Sequence, residues 1–365
     1  MQQDFDIIVI GAGIAGASVA AHLSQTHKVV VAEMESRPGY HTTGRSAATY
    51  EPNYGPASIR ALTRAARTQF DALNALSPRE TMFLMPPHQQ QAFDILMKAQ
   101  QGMREISMAE AKAKFPPLAE GYASRAVLDP GTADIDVDLV HQSFLRQTRA
   151  NGGLIACDHQ VTAIAREGKG FRVTAGPDEF RGAIIVNASG AWGDRVAELA
   201  GAKPVGLQPK RRSIAVIPPP QGIESADWPM VGDIGETWYC KPQSGRLLVS
   251  PADATPVEPH DAFADDMALA EGIARFQEAT GIEVTRVEHT WGGLRSFAPD
   301  GNPVVGYDKK VEGLFWLIGQ GGYGIQTSPA LSRLAAAMVR KEAPPADIMA
   351  EGLVLAEIAP ERFGG

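Results

Sequence analysis

Two cysteines in 365 residues, Cys157 and Cys240, are too few and too far apart to form a disulfide framework. Neither has Cys or His companions at metal-ligand spacing, so no metal site is expected and both read as small buried hydrophobes. No apolar run approaches the ~18 residues that cross a bilayer, which excludes an integral membrane segment. The first residues pass straight into a strand pattern with no basic region or cleavable apolar stretch, and a cytoplasmic location is expected. Positive charge is also short. Lys and Arg total 34 against 42 Asp and Glu, a net charge of -8, and no Lys/Arg-rich block interrupts the chain. That balance argues against a nucleic-acid surface. Internal repeats and low-complexity tracts are absent.

What the chain does have is glycine in a particular place. Residues 6–10 read as a short apolar strand, followed by Gly11, Gly13 and Gly16 in G-x-G-x-x-G register. Residues 14–25 read as an Ala-rich helix and residues 29–32 as a second strand ending at Glu33. This is the dinucleotide fingerprint in its required context of strand, turn, helix, strand and acid. Gly11 permits the turn, Gly13 lets main chain approach a pyrophosphate, and Gly16 lets the helix sit close on the sheet. Glu33, about 20 residues past the middle glycine, suits the ribose hydroxyls and disfavours a 2′-phosphate.

At 365 residues two domains are expected. Residues 79–129 mix short apolar stretches, such as 82–85, with amphipathic helical pieces at 90–101 and 109–115. Residues 136–151 read as a helix, 161–165 and 171–174 as strands, and 183–186 as a buried strand entering Asn187-Ala188-Ser189-Gly190. From 207 to 289 the pattern is strand-rich. Residues 314–318 form another buried strand, followed by Gly319, Gly321, Gly322 and Gly324, with a helix expected near Ser328 and Pro329 in its first turn. The expected fold class is α/β (α+β overall), a doubly wound Rossmann-like domain with an inserted mixed-sheet domain. Residues 1–78, 139–206 and 291–365 make up the first, and residues 79–138 and 207–290 the second.

Three features favour FAD over a nicotinamide. A second glycine-rich strand-to-helix turn near the C-terminus offers a second helix N-terminus to one long cofactor. The loop His41-Thr42-Thr43-Gly44-Arg45-Ser46-Ala47-Ala48 is dense in small, hydrogen-bonding residues. No Cys or Lys nucleophile, triad or metal set stands out, so a cofactor must carry the chemistry. An NAD-binding dehydrogenase or a nucleotide sensor is the alternative of another class.

The segments VIGAGIAGAS, GYHTTGRSAA, LQPKRRS, EHTWGGLRSF and GQGGYGIQTS, in this order, resemble the D-amino-acid oxidase superfamily, with closest likeness to bacterial FAD-dependent D-arginine dehydrogenases. The resemblance spans nearly the whole chain. It implies an FAD-binding domain joined to a substrate domain whose mixed sheet roofs the flavin. It also implies non-covalent FAD, since Thr42 and Thr43 occupy the region where some relatives attach flavin through histidine. The residues expected against FAD are Gly11, Gly13, Ile14, Ala15, Gly16, Glu33 and Met34, the loop His41, Thr42, Thr43, Gly44, Arg45, Ser46 and Ala47, then Val161, Ala188, Gly190, Trp192, Gly293, Gly324, Ile325, Gln326 and Thr327.

The activity implied is that of an FAD-dependent D-amino-acid dehydrogenase. Hydride passes from substrate Cα to flavin N5, giving an imino acid that hydrolyses to a 2-oxo acid and ammonia. A glycine- or sarcosine-type oxidase and a 2-hydroxy-acid dehydrogenase are alternatives on the same fold. The partners expected are a small amino-acid substrate and an electron acceptor other than oxygen, such as a quinone. Such chemistry needs an anchor for the α-carboxylate, and arginine's planar fork fits one bidentately. Arg295, in Gly292-Gly293-Leu294-Arg295, and Arg212, on a strand face shared with Ile214 and Val216, are the candidates. Tyr239 is the natural phenol donor, Tyr54 matches a tyrosine of a lid loop, and Gly322 and Tyr323 offer carbonyls to the substrate amine. Where D-arginine dehydrogenases read S-A-A-H-Y, this chain reads Ser46-Ala47-Ala48-Thr49-Tyr50. Those enzymes also place an acid after L-S-P-R to meet a cationic side chain. Here Glu80 follows Arg79 one position early, and a shift of one strand residue faces the opposite side of a sheet.

Overall fold

A computed structural model describes residues 2–99 and 101–364. Its centre is a six-stranded sheet in the order Leu154–Ala156, Val29–Ala32, Ile7–Ile10, Ile184–Asn187, Leu314–Ile318, Val304–Tyr307, parallel except for the last strand. The inner strands are apolar at successive positions because both faces are covered. Ile7, Val9, Val29 and Val31 enter one core, while Ile8, Ile10, Val30 and Ala32 enter another. None of them is more than 4 % exposed. Alternate residues of a strand point to opposite faces, and burying each Val or Ile contributes about 1.5–3 kcal/mol.

The first core lies under the helices Ile14–Leu23, Val137–Ala150 and Gly324–Val339, with Ala57–Ala72 packed on the last. Helix Val137–Ala150 begins where Asp136 accepts the Leu139 N–H at 2.9 Å. The second core lies under the four-stranded sheet Gln2–Asp4, Asp178–Gly182, Gly170–Ala175, Val161–Glu167 and the short helix Gly193–Leu199. Gly16 allows the first helix to start tight over the turn: a Cβ there would lie 1.8 Å from the Gly11 carbonyl oxygen.

A ten-stranded sheet stands over the C-terminal ends of the parallel strands. Its path runs Gln320–Gly321, His289–Phe297, Gln208–Ile217, Arg246–Ser250, Tyr239–Gln243, Met230–Asp233, Thr81–Met85, Arg125–Asp129, Arg104–Ile106, with Thr255–Pro256 paired to Gln208–Ile217 off that path. His289–Phe297 pairs along its length with Gln208–Ile217, from His289 opposite Val216 to Phe297 opposite Gln208. The large sheet takes in residues through Phe297, and the chain re-enters the central sheet at Val304–Tyr307.

Three local expectations differ from the structure. The strand-rich stretch 207–289 contains the helix Asp266–Thr280, capped by Asp265 and ended by Gly281 at φ +67°. Its Phe276 and Ala279 fill the core behind the large sheet. The last large helix starts at Gly324 rather than near Ser328, so Pro329 lies inside it. Proline supplies no N–H to the Ile325 carbonyl, and the Ser328 hydroxyl donates to that oxygen instead, at 2.9 Å. The helix expected over 90–101 is Gln90–Ala99, and Gln100 lies outside the described residues. No described helix is long and apolar enough to cross a membrane.

Candidate active site

Between the two large sheets runs a cavity of about 750 Å³. One end is built on Ile10, Ala32 and Ala188, which sit at the C-terminal ends of parallel strands, where open α/β sheets bind ligands. Gly11, Gly13, Ile14, Ala15, Glu33, Met34, Val161, Gly190 and Trp192 line this end. Glu33 is buried, and burial raises its pKa. Its Oε2 accepts the Ala12 N–H at 2.6 Å and its Oε1 the Glu35 N–H at 3.0 Å, which oppose that rise. Each carboxylate oxygen keeps a further lone pair for a ligand hydroxyl.

The loop 39–48 is stitched to the large sheet from several sides. The Thr43 hydroxyl accepts the Ile14 N–H at 2.9 Å, and Thr42 Oγ1 donates to the Leu294 carbonyl at 2.8 Å. Arg45 donates to the Ala262 carbonyl at 2.6 Å and pairs with Asp261, while Trp291 Nε1 donates to the Arg45 carbonyl at 2.9 Å. His41 Nε2 meets Glu35 Oε1 at 2.8 Å. Lys241, only 3 % exposed, donates to the Ala47 carbonyl at 2.5 Å and pairs with Asp134 at 2.8 Å. Burial lowers its pKa and the Asp134 charge opposes that. No sequence pattern announces this role for Lys241, because Asp134 is remote along the chain and the lysine sits in an ordinary strand.

Of the expected cofactor residues, His41, Thr42, Thr43, Arg45, Ser46, Ala47, Gly293, Gly324, Ile325 and Gln326 also line the cavity. Gly16, Gly44 and Thr327 do not. Gly16 packs against Gly11, a Cβ on Gly44 would meet the Gly39 carbonyl oxygen at 2.7 Å, and Thr327 is fully buried with its hydroxyl on the Tyr323 carbonyl at 2.8 Å. Their roles are in packing the turns. The fit to a long dinucleotide with a polar ring system rests on two observations. The strand-end turn 11–14 brings main chain to the cavity, and at the far end the buried Gln326 Nε2 has no hydrogen-bond partner among the described residues.

Beyond Gln326 the cavity meets the large sheet. Antiparallel pairing sets Arg212 opposite Gly293 and Lys210 opposite Arg295, so these side chains share one face. Arg212 Nε donates to the Asp253 carbonyl at 2.7 Å and its guanidinium lies 6.0 Å from the Tyr239 ring centre. Arg295 donates to the Tyr54 hydroxyl at 3.2 Å, and that hydroxyl donates to Glu236 Oε2 at 3.3 Å. Burial opposes the Arg295 charge, but the surrounding Tyr54, Tyr323 and Tyr239 phenols hold its pKa above the ordinary value. Burial likewise raises the Tyr54 pKa, with the Arg295 charge opposing. Gly322 makes room for this guanidinium: a Cβ there would lie 1.8 Å from Arg295 Nη2.

Arg212, Arg295, Tyr54, Tyr239 and Gly322 thus meet as expected, in one cavity. Tyr323 stands behind it, its ring 5.2 Å from the Tyr54 ring and 6.2 Å from that of Phe297. Glu80 does not reach the cavity. On Thr81–Met85, Thr81 and Phe83 face inward, whereas Glu80, one residue earlier, pairs with Lys114 at 2.6 Å. Period two places it on the opposite side. The carboxylates that do line this end are Glu51, Asp233 and Glu236. Glu51 was within reach of the sequence, two residues beyond Thr49 on the same loop, and Glu236 was not, since its turn lies far along the chain. The Thr81 hydroxyl is buried and has no partner among the described residues.

The family model described as "DAO: FAD dependent oxidoreductase" matches residues 6–338. The "Uncharacterized oxidoreductase YurR" of Bacillus subtilis is 24 % identical over 366 residues, covering 91 % of this chain and 94 % of that protein. Among solved structures, glycine oxidase from Geobacillus kaustophilus superposes with a TM-score of 0.85 at 20 % identity, covering 99 % of this chain and 100 % of the other. L-proline dehydrogenase from P. horikoshii gives 0.84 at 19 % identity, covering 100 % and 98 %. With the family match running from the strand Ile7–Ile10 into the last large helix, this chain belongs to the DAO family of FAD-dependent oxidoreductases.

Proposed function

We propose that this protein oxidises the α-amine of a D-amino acid, giving an imino acid that water converts to a 2-oxo acid and ammonia, and passes the electrons to an acceptor other than oxygen. The observation that carries the reading is the pair Arg212 and Arg295. Both line the cavity, and neither has a carboxylate partner among the described residues, whereas their neighbour Arg211 pairs with Asp265 at 2.7 Å. A buried guanidinium is costly without a partner, and a substrate α-carboxylate completes it bidentately. Tyr239 adds a phenol donor to the same anion, and Tyr54 adds a second by turning its proton from Glu236. The anchored substrate then lays its side chain toward Phe83 and Met230, and its amine toward the Gly322 carbonyl. Positioning of this kind carries much of the rate.

FAD, when bound, supplies the two-electron acceptor for the substrate's hydride. Gly11, Gly13, Glu33, Thr43 and Gln326 are the groups proposed to hold it, without a covalent bond. Neither cysteine lines the cavity, and His41 and His159 are already engaged with Glu35 and Asp178. The D configuration and the non-oxygen acceptor rest on the sequence resemblance. With Glu80 turned away, the contacts at the side-chain end come from Phe83 and Met230 and from the carboxylates Glu51, Asp233 and Glu236.

The experiment is anaerobic mixing of the flavin-loaded protein with D- and L-amino acids, glycine, sarcosine and 2-hydroxy acids, following loss of the flavin visible band. Bleaching by D-amino acids is expected, and the rate with D-methionine against D-arginine weighs Phe83 and Met230 against the carboxylates of this end. Bleaching by sarcosine or a hydroxy acid alone would overturn the substrate.

A further inference from the structure

Besides Glu51, six carboxylates and histidines line the cavity with their polar atoms already committed or lie away from the arginines, Glu198 on the helix Gly193–Leu199 among them. Glu33, His41 and His159 belong to the nucleotide end. Asp233 has both oxygens occupied by Thr237 and Gln89, and Glu236 sits exposed at the rim on the Tyr54 hydroxyl. Glu51 is different. It is 8 % exposed, lines the cavity beside Tyr54 and Arg295, and directly follows the strand Thr49–Tyr50. Its main-chain N–H donates to Gln326 Oε1 at 3.0 Å, which fixes its position relative to the N-terminus of the helix Gly324–Val339. The Thr49 hydroxyl donates to one carboxylate oxygen, Oε1. The other, Oε2, has no donor among the described residues. A buried carboxylate with a free oxygen is an acceptor waiting for a donor.

Resting on the reading of an amino-acid substrate, we propose that Glu51 is the base that takes a proton from the substrate's ammonium group after the arginines have seized its carboxylate. One N–H bond of the ammonium breaks and one O–H bond forms on Glu51, leaving a neutral amine. Its freed lone pair becomes the second bond of the C=N group as the Cα–H pair departs as hydride to the FAD this family uses. No other co-reactant is needed, and charge balances: the substrate loses one proton to Glu51 and two electrons with the hydride.

The surroundings tune Glu51 for this. Burial is the largest influence and pushes its pKa up to about 7; the Thr49 hydrogen bond lowers it, the Asp129 and Glu236 charges raise it, and Arg295 lowers it. Lys241, on the strand beyond, also feels its charge, and the helix Gly324–Val339 presents only the Gln326 amide. A carboxylate of this kind is protonated below that range and becomes an acceptor above it, near the pH at which a general base works best.

The test compares the loaded wild-type protein with Glu51→Gln and Glu51→Asp in two measurements across pH 5–10. Anaerobic flavin reduction by the best D-amino acid should rise through about pH 7 in the wild type. Glu51→Gln should be slower by roughly 10²-fold at neutral pH and recover at alkaline pH, where the free amine arrives already neutral; Glu51→Asp should keep most of the rate. The second readout is binding of 2-aminoisobutyrate, which has no Cα–H to lose. Its affinity should gain a pH dependence near 7 that Glu51→Gln abolishes. Profiles unchanged by Glu51→Gln in both measurements would overturn the proposal and leave the substrate reading intact. A wild-type flavin that no amino acid bleaches would overturn both.

Discussion

At the nucleotide end of the cavity, main chain does the holding. Glu33 and Thr43 are bonded to the turn N–H groups of Ala12 and Ile14, and loop 39–48 is pinned by Arg45, Trp291 and Lys241. At the substrate end, side chains from remote strands meet with valences to spare. Arg212 and Arg295 lack carboxylates, and Thr81 Oγ1 lacks a partner among the described residues. The first end is held together by its own hydrogen bonds before a ligand arrives, so it is a frame. The second is finished only by what binds, so its unsatisfied groups convert directly into affinity and orientation. Substitutions should therefore separate the two ends cleanly.

The sharpest break comes at Arg295. Arg295→Met removes the cation while keeping an apolar stem of similar length. Losing one member of a buried charge pair costs about 3–5 kcal/mol, so kcat/KM for the amino acid should fall by roughly 10² to 10³-fold. FAD content, read from the protein's visible spectrum, should not change. Loss of flavin would make Arg295 part of the frame and erase the distinction.

Gly322→Ala makes a gentler cut at the same place. The new methyl would sit 1.8 Å from Arg295 Nη2, the far end of a flexible side chain, so the guanidinium moves and the fold stays. Misplacement by about 1 Å can cost roughly 10²-fold; kcat/KM should drop by that much or less, while the melting temperature and FAD content stay at wild-type values. A protein that fails to fold would show that Gly322 serves the frame instead.

The same contrast explains what could be read from the sequence. The nucleotide end is local: strand, glycine turn, helix and Glu33 lie within 7–33, so their spacing carries the geometry. Strands Ile7–Ile10, Val29–Ala32 and Leu314–Ile318 were legible from apolar runs because both their faces are buried. Arg212 and Arg295 were legible as residue types in recognisable segments, but their common face depends on register between strands about 80 residues apart. Lys241 with Asp134, and Glu51 with Gln326, are contacts that no spacing announces. The helix Asp266–Thr280 carries its signals, Asp265 before it and Gly281 after it, but the surrounding prolines and apolar runs give the stretch a strand-like pattern.

Glu80 gives the smallest expected effect and the finest test of register. Its pair with Lys114 is partly exposed, 36 % for Glu80 and 29 % for the lysine, and such pairs contribute at most about 1 kcal/mol. Glu80→Ala should lower stability by no more than that. If the strand Thr81–Met85 is read correctly, the ratio of D-arginine to D-methionine turnover should also stay where it was, because the carboxylate faces Lys114 and only Thr81 and Phe83 face the substrate. A ratio that collapses on Glu80→Ala would mean that the strand slips or the Lys114 pair opens when a cationic substrate arrives. The substrate end would then draw on a group its resting geometry turns away, and the rigid frame would stop short of the strand that carries it.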